Sequence, residues 1–316
     1  MAEPILSSDQ IISAAAKLSA GGERKMVAVA AAQDVDVIGA LSSAQAEGIL
    51  DATLFGDETL IKKMASDNGL DISKLVIVHN ADVKGATVAA VRMAAEGKAD
   101  VIMKGFVSTS ALLKTVLAKE FNLRTKNTLS HVAVLDIPGY HKLLAMTDGG
   151  MVVKPDLEQK YQILENAVLI AQALGLRPVK VAVSGTIDRF SPDDPTAIEC
   201  QQLIDRVKLS GMKDILIEGP LTIDAATSKE VASLKGLSGP VVGEADIYLM
   251  HSIEECNIVA KSLINFIDAV FAGVIVGAKV PVSLVSRTDT AKNKKASVSL
   301  ACLIAEHYSR MAEGTR

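Results

Sequence analysis

The chain of 316 residues contains no tryptophan, and its aromatic residues make up only 3% of the total. Proteins that bind single-stranded nucleic acid stack the bases on aromatic side chains, so this composition argues against that class. The formal net charge is −4, which argues against a protein that coats nucleic acid or an anionic membrane. We therefore expect neither nucleic acid nor a membrane among its partners.

Cysteine is scarce as well. The three cysteines, Cys200, Cys256 and Cys302, are far apart and form no CxxC pair, which excludes a disulfide framework and a cysteine zinc site. The N-terminal residues show no basic segment followed by an apolar core, and no run of about 18 apolar residues is free of charge. Together these features predict a protein of the reducing cytoplasm.

The usual nucleotide and metal motifs are missing too. No GxGxxG sequence follows a predicted strand, and the stretch Gly273–Lys279 only imitates a Walker A loop, because no Ser or Thr follows the lysine. There is no HExxH sequence, and the five histidines are scattered. The sequence therefore predicts no metal site.

What the chain does contain is an ordered globular composition, with 49% apolar and 22% charged residues. Short β-branched runs alternate with helical stretches, which favours the α/β class with mostly parallel, doubly wound sheets. The predicted strands cover residues 26–30, 52–55, 75–79, 100–104, 130–135, 143–147, 179–184, 214–217, 246–249, 273–276 and 282–285.

The clearest helix pattern runs from Pro155 to Leu174, with Pro155 in the first turn and Gly175 ending the helix. At about 100–200 residues per domain, the length suggests two domains. The loop at residues 148–150 and the segment near 285–289 are plausible junctions. We therefore predict one domain of residues 1–148 plus 287–316 and a second of residues 149–286.

The strand predicted at 100–104 ends in a cation and a glycine. Lys104 and Gly105 are followed by Ser108, which stands at a predicted helix start. Ligands of doubly wound sheets bind beyond the carboxyl ends of the strands, and helix N-termini favour anions. Lys104 and Gly105 are therefore candidate substrate-binding residues. In the structural alternative, Gly105 makes a turn and Ser108 caps the helix.

The strand predicted at 282–285 ends in a hydroxyl, a guanidinium and a carboxylate, from Ser286, Arg287 and Asp289. A guanidinium can donate two parallel hydrogen bonds to a phosphate group. In the alternative, Arg287 and Asp289 form an exposed ion pair of little energetic value. The lysines that follow are either a solvated helix face or a contact for a polyphosphate; they are Lys292, Lys294 and Lys295.

Two further loops contain small polar residues, and the one at 147–150 places them beside the paired glycines Gly149 and Gly150. Such glycines allow a close approach of the backbone to a ligand, although an ordinary turn explains them equally well. The same two interpretations apply to residues 218–221. The candidate substrate-binding residues of the two loops are Ser130, His131, Thr147 and Asp148.

Taken together, five segments resemble the phosphate acetyl/butyryl transferase family, and most closely its butyryl-transferring branch. They cover over a third of the chain and occur in the same order as in the family. The five segments together are specific for the family, whereas each alone is a weak signal. The segments are ADVIMKGFVSTSALLKTVL (99–117), LSHVAVLDIPGYHKLLAMTDGGMVVKPDLEQKYQILENAV (129–168), ILIEGPLTIDAA (215–226), EADIYLMHSIEECNIVAKSLINF (244–266) and AGVIVGAKVPVSLVSRTD (272–289).

The resemblance implies two α/β/α domains with an interdomain cleft, as in dehydrogenases of the isocitrate and isopropylmalate type, in a homo-oligomer. It implies the reversible conversion of a short-chain acyl-CoA and phosphate to acyl phosphate and CoA, with butyryl-CoA preferred, by direct displacement in a ternary complex. The partners are then acyl-CoA, CoA, inorganic phosphate and acyl phosphate. Coenzyme A is a substrate, and neither a metal nor an organic cofactor is needed.

The resemblance also implies roles for single residues. Arg287 clamps phosphate, and Ser286 donates a hydrogen bond to the developing oxyanion or to the CoA sulfur, an interaction typically worth about 3–4 kcal/mol. In the acetyl-transferring branch an aspartate lies six residues beyond the Ser-Arg pair, where this chain has Asn293. We therefore assign the base to Asp289. Residues 183–188 also depart from the family pattern, which would alter the acyl pocket.

Other functions stay open at this point. The substrate is acetyl-CoA in one alternative, because one methylene discriminates by only about 1–3 kcal/mol. A long-chain acyl-carrier:phosphate transferase would need an exposed basic surface. A metal-dependent NAD dehydrogenase of similar architecture would need clustered aspartates and a nucleotide loop, which the sequence does not assemble. A sensor of acyl-CoA or phosphate would bind without turnover.

Overall fold

The structure is a computed structural model that describes residues 3–22, 24–286 and 288–314. The strands of this part of the chain are β1 (Lys25–Ala30), β2 (Leu50–Gly56), β3 (Val76–His79), β4 (Val101–Lys104), β5 (Ser130–Asp136), β6 (Leu143–Thr147), β7 (Val179–Ser184), β8 (Ile215–Leu221), β9 (Ile247–Leu249), β10 (Val270–Val276) and β11 (Val282–Ser283).

Helices connect most of these strands. They are α1 (Ser8–Ala20), α2 (Val35–Ala46), α3 (Glu58–Asp67), α4 (Val83–Ala95), α5 (Thr109–Val116), α6 (Leu157–Ala173), α7 (Pro195–Ser210), α8 (Ile223–Thr227), α9 (Lys229–Leu234), α10 (Ile253–Ile267) and α11 (Ala291–Ala312), with a short 3₁₀ turn at Lys119–Phe121. None of the helices in the described ranges has the length and apolar character that crossing a membrane requires.

The chain divides into two compact units. Unit 1 comprises Met1–Ser7 and Thr128–Phe271, and unit 2 comprises Ser8–Asn127 and Ala272–Arg316. The chain passes from one unit to the other near residues 127 and 271, whereas the sequence predicts domain junctions at 148 and 286. The predicted domains stay a prediction, since compactness does not test which parts of the chain fold independently.

In unit 2 the strands lie in the order β3-β2-β1-β4-β11-β10, with most of β10 inside the unit. The first five are parallel to their neighbours, and β10 is antiparallel to β11. The interior of β1 illustrates why these runs form central strands: Val27–Ala30 are completely buried, and helices cover a parallel sheet on both faces.

In unit 1 the order is β5-β6-β9-β7-β8. The β5 and β6 strands pair antiparallel, and the remaining neighbours pair parallel. The predicted α/β class with mostly parallel strands is therefore confirmed. Each of the predicted strands overlaps an observed one.

The predicted helix at 155–174 is confirmed as α6, with a correction at its start. The Asp156 side chain accepts the Gln159 N–H at 2.8 Å, and the Gln159 side chain accepts the Asp156 N–H at 3.0 Å. This capping box makes Asp156 the N-cap. Pro155 consequently precedes the helix and does not lie in its first turn.

Candidate active site

The ends of β4 and β11 meet in unit 2. The two strands pair in parallel, with Val282 opposite Ile102 and Ser283 opposite Met103. Their carboxyl ends therefore lie at the same edge of the sheet, and Lys104 Nζ is 3.5 Å from the backbone oxygen of Val285. The convergence expected for the segments around Lys104 and Ser286 is confirmed, and it lies at the edge where doubly wound sheets generally bind their ligands.

Lys104 is a buried cation at this edge. Only 6% of the residue is exposed, and its ammonium group also lies 3.4 Å from the backbone oxygen of Gly105. Buried ammonium groups are costly unless polar or anionic groups surround them. The backbone oxygens of Gly105 and Val285 supply such polar groups around the Lys104 ammonium.

Gly105 is needed because two backbones approach closely here. A Cβ atom at this residue would lie 2.2 Å from the backbone oxygen of Ala31. The Gly105 N–H donates to the backbone oxygen of Ala30 at 3.0 Å, which ties the end of β4 to the end of β1. Ser108 accepts the Ala111 N–H at 3.2 Å and caps α5. The structural interpretation of Ser108 as a helix cap is therefore confirmed, whereas Gly105 serves a close approach of two backbones.

The segment after β11 forms a hydrogen-bonded turn. The Ser286 N–H donates to Asp289 Oδ2 at 2.5 Å, and the Asp289 N–H donates to the Ser286 backbone oxygen at 3.3 Å. The Ser286 hydroxyl lies 3.0 Å from the Thr288 hydroxyl. Ser286 is exposed, whereas only 9% of Asp289 is exposed. This turn presents the Ser286 hydroxyl outward and holds the Asp289 carboxylate inside.

Arg287, the predicted phosphate clamp, lies outside the described residues. The lysines beyond it have ion-pair partners. Lys292 lies 3.7 Å from Asp9, Lys294 lies 3.2 Å from Asp34, and Lys295 lies 2.5 Å from Glu47. Because Lys294 is completely buried, the interpretation of this run as a solvated helix face is wrong at that position.

In unit 1, Ser130 and Thr147 are completely buried. The Ser130 hydroxyl accepts a hydrogen bond from the Asn166 amide at 2.8 Å. The Thr147 hydroxyl donates to the His131 backbone oxygen at 3.1 Å. These contacts join β5 to β6 and to α6, so both hydroxyls help to hold the loop.

Asp148 organises the loop that follows β6. Its carboxylate accepts the N–H groups of His131, Gly150, Met151 and Val152 at 2.8–3.1 Å. Desolvation nevertheless raises the pKa of Asp148, because burial outweighs the opposing effect of these hydrogen bonds. The loop glycines fit closely as well, since a Cβ on Gly149 would lie 3.0 Å from the Cys256 sulfur.

His131 is buried beside the same loop. Its Nδ1 has no hydrogen-bond partner among the described residues, and desolvation lowers its pKa to about 4. The imidazole is therefore neutral near pH 7. Its ring centroid lies 6.0 Å from that of Phe271, which places it in an apolar setting.

Several polar contacts of unit 1 could not be predicted from the sequence. The ammonium of Lys160 lies 2.5 Å from Glu199 and 2.9 Å from His251 Nδ1, and His251 Nε2 lies 2.7 Å from the Ser184 backbone oxygen. Asn257 donates to the Gly149 backbone oxygen at 3.1 Å. No local pattern marks these residues, because their partners are distant in the chain.

Two clefts lie elsewhere on the units. One of about 600 Å³ in unit 2 is lined by α3 and the segment around β3, and one of about 330 Å³ in unit 1 includes Glu218–Leu221. Asp224, near the second cleft, pairs with Lys235 at 2.9 Å. Within the described ranges, no three His, Cys, Asp or Glu residues are placed to hold a metal ion.

Comparison with known proteins identifies the family. Residues 79–302 match the family described as "Phosphate acetyl/butaryl transferase". The chain is 40% identical over 283 residues to a phosphate butyryltransferase of Clostridium acetobutylicum, covering 90% of this chain and 94% of the relative. It is 35% identical over 286 residues to a phosphate acetyltransferase of Thermotoga maritima, covering 90% and 97%.

Solved structures of other proteins also resemble this chain. A branched-chain phosphotransacylase from Enterococcus faecalis has a TM-score of 0.79 and 31% identity, covering 90% of this chain and 99% of that one. A 4-hydroxythreonine-4-phosphate dehydrogenase from Klebsiella pneumoniae has a TM-score of 0.58 at 10% identity, over 90% of this chain and all of that one, which is a likeness of fold alone. From its matched segment, its relatives and its fold, the chain belongs to the phosphate acetyl/butyryl transferase family of acyltransferases.

Proposed function

We propose that the protein converts short-chain acyl-CoA, with butyryl-CoA preferred over acetyl-CoA, and phosphate to acyl phosphate and CoA. Family membership supports the phosphate acyltransferase reaction, and the butyryl preference is supported by the phosphate butyryltransferase that is 40% identical to this chain. The proposal includes direct displacement in a ternary complex, without a metal or an organic cofactor. It also includes two α/β/α domains around a cleft, a homo-oligomer and a cytoplasmic location.

The observation that carries the proposal is the meeting of β4 and β11 in unit 2. Lys104 Nζ lies 3.5 Å from the backbone oxygen of Val285, and Ser286 follows directly. A cation and a hydroxyl from two strands thus stand at one edge. Attack of phosphate on a thioester carbon depends mainly on holding the anion at the correct distance and angle.

The proposed roles follow from chemistry. Lys104 and Arg287 neutralise the phosphate dianion, and the Ser286 hydroxyl donates to the oxyanion that develops on the thioester carbonyl. Gly105 keeps the backbone close enough for its neighbours to contact the substrate. In the reverse direction the CoA thiol, with an ordinary pKa of about 8.5, gives its proton to Asp289.

We propose that four residues of unit 1 form a second set of substrate-binding residues; they are Ser130, His131, Thr147 and Asp148. Ser130, Thr147 and Asp148 are buried, and their side chains bind the backbone and Asn166. Substrate contact in this region would then come from backbone groups of the loop and from the neutral imidazole of His131.

A thiol-release assay tests the function. Wild-type protein should release CoA from butyryl-CoA faster than from acetyl-CoA, and only when phosphate is present. Arg287→Ala should reduce turnover by about 10²-fold or more, with the far-UV spectrum unchanged, whereas Lys62→Ala on α3 should leave it within about twofold. Phosphate-independent release, or Arg287→Ala activity within a few-fold of wild type, would contradict the proposal.

The acetyl alternative is supported by the Thermotoga relative. The same assay decides between the two chain lengths from the ratio of kcat/KM for butyryl-CoA and acetyl-CoA. A ratio below one would assign acetyl-CoA.

A further inference from the structure

An exposed aromatic side chain stands beside the candidate active site. Phe106 follows Lys104 and Gly105 beyond the end of β4, and 46% of it is exposed. The other phenylalanines of unit 2, Phe55 and Phe121, are each only 6% exposed. Single exposed apolar residues are common on protein surfaces, so the position of Phe106, more than its exposure, needs an explanation.

The backbone around Phe106 is fixed on both sides. The Phe106 N–H donates to the backbone oxygen of Ala31 at 2.5 Å. The next residue, Val107, is only 4% exposed, and Ser108 caps α5. An aromatic ring has only two rotatable side-chain bonds, so an anchored phenylalanine offers a large apolar surface at little cost in conformational entropy.

A second exposed apolar residue lies at the same edge. Val35 is the first residue of α2 and is 36% exposed. It follows β1, which pairs with β4 in parallel, with Ala30 opposite Lys104. Phe106 and Val35 therefore both lie in segments that follow the carboxyl ends of two neighbouring strands, on the side of the sheet where Lys104 ends β4.

Only some parts of an acyl-CoA are apolar. Phosphate attacks the thioester carbon, and the acyl chain begins at that same carbon, whereas the adenine lies at the far end of the pantetheine arm. Two residues span at most about 7 Å of extended chain. A side chain two positions from Lys104 is consequently near the reacting carbon and the first carbons of the acyl chain.

We propose that Phe106 is a specificity-determining residue whose ring contacts the acyl chain of the substrate, with Val35 extending the same contact. This inference rests on the proposed function. Each methylene removed from water improves binding about fourfold. The two methylenes that separate butyryl-CoA from acetyl-CoA can thus give a preference of about fifteenfold.

The test is a chain-length series. Thiol release with phosphate is measured with acetyl-, propionyl-, butyryl- and pentanoyl-CoA for wild type, Phe106→Ala and Phe106→Leu. The ratio of kcat/KM for butyryl-CoA over acetyl-CoA should fall about four- to fifteenfold in Phe106→Ala and less in Phe106→Leu. Phe266→Ala is the matched control, because Phe266 is 83% exposed near the end of α10, a helix that carries none of the proposed catalytic or substrate-binding residues, and its ratio should stay within about twofold.

The alternatives give different results. An unchanged ratio in Phe106→Ala would overturn the proposal. An equal loss for every chain length, with a higher KM for CoA in the reverse direction, would also overturn it and place the ring against the CoA moiety. If wild-type protein shows no phosphate-dependent release with any acyl-CoA, the proposed function itself fails, and the role of Phe106 fails with it. Melting temperatures of the variants separate these results from misfolding.

Discussion

Asp289 occupies the turn after β11 with its carboxylate already engaged. Its Oδ2 accepts the Ser286 N–H at 2.5 Å, and hydrogen bonds to charged groups are worth about 1.5–3 kcal/mol. The residue therefore positions Ser286. We also propose Asp289 as the base for the CoA thiol. Substitution by Asn, which keeps a hydrogen-bond acceptor, and substitution by Ala, which does not, separate the two roles.

We predict that Asp289→Asn lowers kcat by about 10²-fold in the reverse direction, from acyl phosphate and CoA to acyl-CoA, since loss of a general base typically costs 10²–10⁴-fold. Without a base, the remaining rate should rise with pH as the CoA thiol, with its pKa of about 8.5, ionises by itself. Stopped assays over pH 6–9 measure both effects.

Asp67→Asn on α3 serves as the control, because its carboxylate forms an exposed ion pair with Lys63. If Asp289→Asn keeps the wild-type rate and pH profile while Asp289→Ala loses activity, the carboxylate only positions Ser286.

His131 makes stability depend on pH. Burial lowers its pKa to about 4 in the folded protein, below the ordinary value of about 6.5. Between these values the unfolded chain binds a proton that the folded chain does not. The stabilisation is therefore complete above about pH 6.5 and is lost as the pH falls toward 4.

We predict that lowering the pH from 7 to 5 costs the wild type about 2 kcal/mol more of unfolding free energy than it costs His131→Gln. Urea unfolding at both pH values measures this difference. Asp148, whose pKa is raised by burial, responds in the opposite sense, but it is present in both proteins. Equal losses in the two proteins would show that the imidazole is not protected from protonation.

Packing between elements depends on another buried charge. Lys294 on α11 is completely buried and lies 3.2 Å from Asp34, the N-cap of α2, and 3.3 Å from Asp36. Removal of one partner from a buried ion pair leaves an uncompensated charge and typically costs about 3–5 kcal/mol. This contact joins two helices that are far apart in the chain.

We predict that Lys294→Met lowers the free energy of unfolding by about 3 kcal/mol or more, measured by urea denaturation. Lys292→Met, two residues earlier, should change it by about 0.5 kcal/mol or less, because Lys292 and its partner Asp9 are largely exposed. Similar effects of the two substitutions would mean that the Lys294 ion pair does not hold α2 against α11.

At the scale of the whole molecule, we propose that positively charged side chains of the chain, and no metal ion, neutralise the phosphate. Lys104 is buried at the edge where β4 and β11 meet, and Arg287 belongs to the segment that follows β11. The metal-dependent dehydrogenase alternative instead requires carboxylates arranged around a divalent ion. The two alternatives differ in their response to a chelator.

We predict that dialysis against EDTA leaves the rate of phosphate-dependent thiol release within about twofold of the untreated protein. The same sample, measured before and after addition of Mg²⁺, provides the comparison. Loss of activity that Mg²⁺ restores would contradict the metal-independent mechanism and favour the dehydrogenase type of site.

Local sequence patterns were sufficient for much of the fold. The β-branched runs predict every described strand to within a few residues, and the spacing of apolar residues predicts α6, because strand and helix periodicity follow from the backbone alone. The meeting of Lys104 with the segment at Ser286 was also predictable, since carboxyl ends of parallel strands share an edge.

What the sequence by itself determined is thus the set of elements, their α/β class and the family that their motifs resemble. Only the tertiary structure decided that Lys294 is buried between α2 and α11, that Asp148 binds four N–H groups, and that Asn166 holds Ser130. These contacts join residues brought together by packing, and no local periodicity specifies which distant partner a buried polar group will find.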